Sequence, residues 1–117
     1  MVIFYKGVSV LTRSELPECP VATTVQLIGN KWKLLILRNL LAGTQRFGEL
    51  RRGIPGISQK VLTENLRAME DDGIVLRKEY HTVPPRVDYQ LTDLGNSLRP
   101  LITVMETWGA EYKKTRK

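Results

Sequence analysis

The sequence predicts a mainly helical chain with a small β-hairpin wing. Three features of the block 56–94 carry that prediction: a capped amphipathic helix, a glycine exit from it, and two alternating runs joined by a proline tip. Ser58 is a good N-cap, and Val61, Leu62, Leu66 and Met69 recur behind it at helical spacing. One face is therefore buried, while Gln59, Lys60, Thr63, Glu64 and Arg67 lie on the other. Amides, hydroxyls and cations grouped in this way are what a DNA-reading helix presents.

In chain order, the first well-marked helix is 31–42. Asn30 caps it, Gly43 stops it, and Trp32, Leu35, Ile36 and Leu40 form its inward stripe. After a short link at Thr44, Gln45 and Arg46, residues 47–52 read as a compact helix with Phe47 and Leu50 inside. Pro55 pushes Ile54 out of helical geometry and Gly56 permits a tight bend, so the chain turns there into the helix capped by Ser58. A helix, a turn and a second exposed-face helix, in that order, make a helix-turn-helix.

Asp72 and Gly73 close the second helix, and the pattern then becomes extended. Ile74, Leu76 and Tyr80 share a parity in 74–81, and Val87, Tyr89 and Leu91 share one in 86–91, so the runs pair as a hairpin. Thr82, Val83, Pro84 and Pro85 form its tip, with Arg86 directly behind. Two readings of Arg86 stand side by side: a cation held out at the end of a ribbon, or a partner for Asp88 or Glu79 in a surface ion pair of ~0 to 1 kcal/mol. With the hairpin, the fold class is a winged helix-turn-helix.

The last helix, 93–115, carries Leu94, Leu98, Leu101, Met105, Trp108 and Tyr112 at alternating spacings of four and three. That is a coiled-coil-like seam, which needs a partner surface. Pro100 interrupts it and is expected to kink the helix or leave a carbonyl unpaired, a cost of ~3 kcal/mol in a helix interior. The seam could also pack on its own domain, but a core of short helices and one hairpin is marginal at this size, which favours a dimer through Leu98, Leu101, Met105 and Trp108.

At 117 residues the chain reads as an N-terminal extension, 1–17, and one domain, 18–117, without a linker or repeat. No apolar run approaches membrane-spanning length. The opening Met1, Val2, Ile3, Phe4 and Tyr5 are too few for a secretory core and lack a cleavage site, so a cytoplasmic protein is expected. The net charge of +6 favours a polyanionic partner. Residues 44–91 contribute little of it, with eight Lys/Arg against seven acids, so positive and negative side chains must be segregated by face if this block grips DNA.

The single cysteine excludes an internal disulfide. Cys19 precedes Pro20, a good first helical residue, which places its sulfur near a helix N-terminus where thiolate is favoured. Glu15 and Glu18 oppose that, and a lone cysteine is commonly a small buried hydrophobe. A thiol enzyme would need a base, and the one histidine, His81, lies far along the chain at the end of the first wing strand. One Cys and one His without ligand spacing make no metal site. The expectation is a protein that is not an enzyme and holds no metal or cofactor.

The pieces Cys19-Pro20, GNKWKLLILRNL (29–40), RFGELRRGIPGIS (46–58), LTENLRAMEDDGIVLR (62–77), RVDYQLTDLG (86–95) and Trp108-Gly109 resemble, in order, the HxlR-type winged helix-turn-helix regulators of bacteria, relatives of the MarR group. The resemblance implies a homodimeric regulator that binds double-stranded DNA at a palindromic operator. It places Ser58, Gln59, Lys60, Thr63 and Arg67 in a recognition helix and Arg86 in the wing. Several members of that family sense oxidants or electrophiles through a cysteine at the position of Cys19, often by a disulfide between subunits. The segment 1–17 departs from the family pattern. The competing expectation is a protein-interaction module that keeps the fold without reading DNA.

Overall fold

The computed structural model describes residues 2–5, 8–11 and 15–116, with side chains from residue 15 onward. The elements run β1 (Val2–Tyr5), β2 (Val8–Leu11), α1 (Pro20–Ile28), α2 (Lys31–Leu41), β3 (Gln45–Arg46), α3 (Phe47–Gly53), α4 (Gln59–Asp71), β4 (Val75–Tyr80), β5 (Arg86–Leu91), α5 (Asp93–Asn96) and α6 (Arg99–Thr115). Strands β1 and β2 pair antiparallel with Val2 opposite Leu11, within the segment expected only as an extension. A separate antiparallel sheet has the order β3-β5-β4. No helix among the described residues is long and apolar enough to cross a membrane.

Helix α4 is built as its spacing predicts, except that Val61 of the expected stripe is only partly buried. The Ser58 hydroxyl accepts from the Val61 amide at 3.1 Å, and Leu62, Leu66 and Met69 are fully buried. They meet Ile36, Leu37 and Leu40 of α2, Leu50 of α3, and Ile54 and Ile57 of the turn. Leu37 belongs to this core although the expected stripe on α2 omits it, while Trp32 and Leu35 are only partly buried. Asn30 caps α2 by accepting from the Lys33 amide at 2.8 Å, and its own amide donates to Asn65 of α4 at 3.3 Å. The two helices are thereby referenced to each other by a polar tie as well as by packing.

Gly73 ends α4 at φ 77°. Its amide donates to the Glu70 carbonyl at 3.0 Å, and the Ile74 amide reaches back to Met69 at 2.9 Å. This pair of bonds satisfies carbonyls that a helix end otherwise leaves open.

Three expectations need correction. The stretch 44–46 is not merely a link: Gln45 and Arg46 form β3 and pair with Tyr89 and Asp88 of β5. Two residues are too short for any periodicity to show. The parity assigned to the first wing strand also fails. Ile74 lies before β4, Val75 is buried opposite Leu91, and Leu76 is 43% exposed. In this register Val87, Tyr89 and Leu91 share a face with Val75, Arg77 and Glu79, and not with Leu76 and Tyr80.

The last helix is likewise not continuous over 93–115. Four residues form α5, the chain turns at Ser97 and Leu98, and α6 begins at Arg99. Pro100 therefore occupies the first turn, where its missing amide hydrogen has no partner to lose, and the expected interior penalty and kink do not arise. The Arg99 guanidinium donates to the Leu41 carbonyl at 2.9 Å, tying the start of α6 to the end of α2.

Candidate nucleic-acid interface

Opposite its buried stripe, α4 presents Gln59, Lys60, Glu64 and Arg67 to solvent. The sequence-predicted residues differ in how free they are. Ser58 is exposed but its hydroxyl oxygen is occupied by the cap. Thr63 is half-buried and donates to the Gln59 carbonyl at 2.8 Å. Lys60 lies 3.9 Å from Glu64, one helical turn on, in a fully solvated pair. Such pairs are weak and screened, so Lys60 is available to an anion. Arg67 enters no ion pair with a described residue. It opens, with Thr63 of the same helix and Arg77 and Tyr89 of the sheet, onto a concavity between α4 and the wing.

Arg86 is more constrained than a cation held out in solvent. Its guanidinium makes a two-pronged contact with Asp88 on the same strand, Nε to Oδ1 and Nη2 to Oδ2, each at 3.0 Å. The guanidinium also lies over the Tyr80 ring at 5.1 Å. Asp88 is 5% exposed, the one buried charged side chain among the described residues. The hydrogen bonds from Arg86 hold the Asp88 carboxyl below its usual range despite the opposing effect of burial, and nearby Arg46 adds to the lowering. The ion-pair reading of Arg86 thus holds in the free protein, with Asp88 two residues along rather than across the sheet. Arg77 is paired in the same i, i+2 fashion with Glu79.

The wing residues Thr82, Val83, Pro84 and Pro85 are exposed, as is His81. No cluster of metal-ligating side chains occurs among the described residues. At the other end of the molecule, Cys19 is exposed and is the N-cap of α1, with Pro20 as the first helical residue. Val21 and Val25, one turn apart on α1, are exposed at 71% and 57%. Leu101, Val104, Met105, Trp108 and Tyr112 of α6 are also exposed, and Trp108 stacks on Tyr112 at 5.3 Å between ring centres. Of α6, Ile102 is the buried residue, and Leu98 just before it packs on the core. The seam is therefore not consumed by its own domain. The sequence reading missed Val104, Val21 and Val25 because it followed one strict seam.

A short helix, a proline-glycine turn, a second helix with a polar outer face, and a three-stranded sheet ending in a hairpin define a winged helix-turn-helix of the DNA-binding class. Comparison with known proteins agrees. The model of the HxlR-like helix-turn-helix family matches residues 27–117, and the chain belongs to that family of transcriptional regulators. It is 47% identical over 95 residues to the HTH-type transcriptional regulator YdeP of Bacillus subtilis strain 168, spanning 81% of this chain and 74% of YdeP. Among solved structures, the redox regulator HypR superposes in its reduced form with a TM-score of 0.79 at 43% identity, over 83% of this chain and 96% of that one. The oxidised form of HypR gives 0.76 at 46% identity, over 80% and 96%.

Proposed function

We propose that the protein works in the cytoplasm as a homodimer on palindromic double-stranded DNA, each subunit laying α4 in a major groove. The observation that carries this is the split of α4 into a buried apolar face and an outer face bearing Gln59, Lys60 and Arg67. Gln59 is suited to adenine edges, Lys60 and Arg67 to guanine or phosphate, and Ser58, whose hydroxyl proton the cap leaves free, to a backbone contact, whereas Thr63 spends its proton within the helix. Arg86 serves from the wing. The dimer reading is supported by the uncovered apolar rows on α1 and α6, including Leu101, Met105 and Trp108, continuous with Leu98 at the core. A second subunit with the same rows would cover them symmetrically.

Cys19 adds a redox response to this reading, supported by its exposure at the start of α1 and by the likeness to HypR. A peroxide would oxidise the thiol to a sulfenic acid and leave as water. The partner subunit's thiol would then displace a second water to give a disulfide. The test is selection of bound duplexes from a random pool, followed by mobility shifts across a salt series, each with and without peroxide. Enrichment of an inverted repeat, affinity falling steeply with salt, and a peroxide effect absent in Cys19→Ser are expected. No enrichment of any sequence would refute the DNA-reading function. A wild type indifferent to demonstrated oxidation would remove the redox part alone.

A further inference from the structure

We propose that Arg46, Lys78 and Arg86 form a second phosphate-backbone site on the wing, and that Asp88 is the positioning residue that assembles it. The inference rests on the DNA-binding reading above. Asp88 stands at the centre of the middle strand, directly opposite Arg46 of β3 on one side and Lys78 of β4 on the other. Arg86 lies two residues along β5, opposite Tyr80. Directly opposed residues and residues two apart share a face, so three cations and one tyrosine surround one buried carboxylate, and the Glu49 carboxylate of α3, which accepts from the Arg46 amide at 2.8 Å, lies beside them.

The geometry fixes their poses. Asp88 grips Arg86 in the two-pronged contact, and the Tyr80 ring carries Arg86 at 5.1 Å and Lys78 at 5.2 Å. Neither Arg46 nor Lys78 enters an ion pair with a described residue, and the three cations face two carboxylates, Asp88 and Glu49, so the cluster keeps one net positive charge. Arg46 and Arg86 wall an open concavity of about 590 Å³ between the wing tip and α3, with Gly48 and Pro84 also on its lining. The face that carries Asp88 and Lys78 is turned away from α4, whose side carries Thr63, Arg67 and Arg77. A wing entering the groove next to α4 would thus meet the phosphates of the far strand with a preformed cationic surface.

A short mixed-sequence duplex serves as the probe, because non-specific binding is dominated by phosphate contacts. Arg46→Gln and Lys78→Gln should each weaken binding and reduce the salt slope by ~1. Asp88→Asn makes the protein more positive, which by charge alone would tighten binding. The positioning role demands the opposite: weaker binding and a shallower slope, at a temperature where melting shows the variant still folded. Asp88→Asn binding as tightly as the wild type, or more tightly, overturns the role of Asp88. Should that variant not fold, the two exposed positions decide, and unchanged slopes there overturn the site. Wild-type protein without salt-dependent duplex binding would sink the DNA reading itself, whereas wild-type binding with unmoved variants sinks the wing site alone.

Discussion

Two carboxylates in this domain respond to the fold in opposite directions. Burial raises the Asp72 carboxyl above its ordinary value, with Lys33 pulling against it and Asp71 adding to the rise. Arg86 lowers that of Asp88. A raised folded value means the contribution of Asp72 to stability is present below its unfolded pKa and lost as pH climbs through the folded one. At neutral pH the ionised group is unfavourable, the more so because it caps the carbonyl end of α4. Asp72→Asn should therefore stabilise the protein at pH 7 by ~0.3 to 1 kcal/mol, with the gain shrinking under acid. For Asp88 the lowered value gives stability present above the unfolded pKa of ~4 and lost as pH falls through the folded one, so the deficit of Asp88→Asn should be full at pH 7 and fade below about pH 4. Thermal melts across pH separate the two. On the outer face of α4, Lys60→Ala and Arg67→Ala should each weaken operator binding without altering the melt: a lost base contact costs ~1 to 3 kcal/mol and relaxes specificity, a lost phosphate contact lowers the salt slope by ~1. Unchanged affinity in both would move the DNA surface off α4.

Among the elements, the exit from α4 is the joint that sets the wing relative to the reading helix. Gly73 sits at φ 77°, and Thr92 closes the far side by donating from its hydroxyl to the Gly73 carbonyl and from its amide to Ile74 at 3.0 Å. Gly73→Ala puts a side chain into left-handed geometry and should cost ~1 to 2 kcal/mol, read as a lower denaturant midpoint with an unchanged slope. The cap at Ser58, the core positions Leu62, Leu66 and Met69, and the Gly73 stop were legible because each is a local rule expressed within one helix. What escaped were features set across the chain. β3 exists because β5 offers it an edge, and the β4 register is dictated by the pairing of Val75 with Leu91. Pro100 reads as an interruption only until the turn at Ser97 and Leu98 makes it a beginning. The same holds at the site: the outer face of α4 follows from spacing, whereas Asp88 and its ring of cations need the sheet register to be seen together.

For the whole molecule, the proposed dimer rests on the exposed apolar row of α6. Replacing Leu101 and Met105 together with Asp should leave the domain folded, since both are exposed, while converting dimer to monomer by sedimentation and abolishing tight operator binding. A double variant that remained dimeric would move the interface to α1 and the N-terminal segment.

The bond from Arg99 to the Leu41 carbonyl makes α6 an extension of the α2 frame, and Asn30 and Asn65 refer that frame to α4. In the proposed dimer the partner's reading helix is thus expected at a fixed rotation about the duplex as well as a fixed distance, which would make the dimer a phase gauge. Adding one base pair between half-sites swings the second by ~34°, and five carry it to the opposite side of the helix. Affinity for spaced operators should consequently oscillate rather than decay, collapsing at five added base pairs and recovering in part near ten. A smooth decline in a mobility-shift series would mean that α6 swivels on its tie to α2.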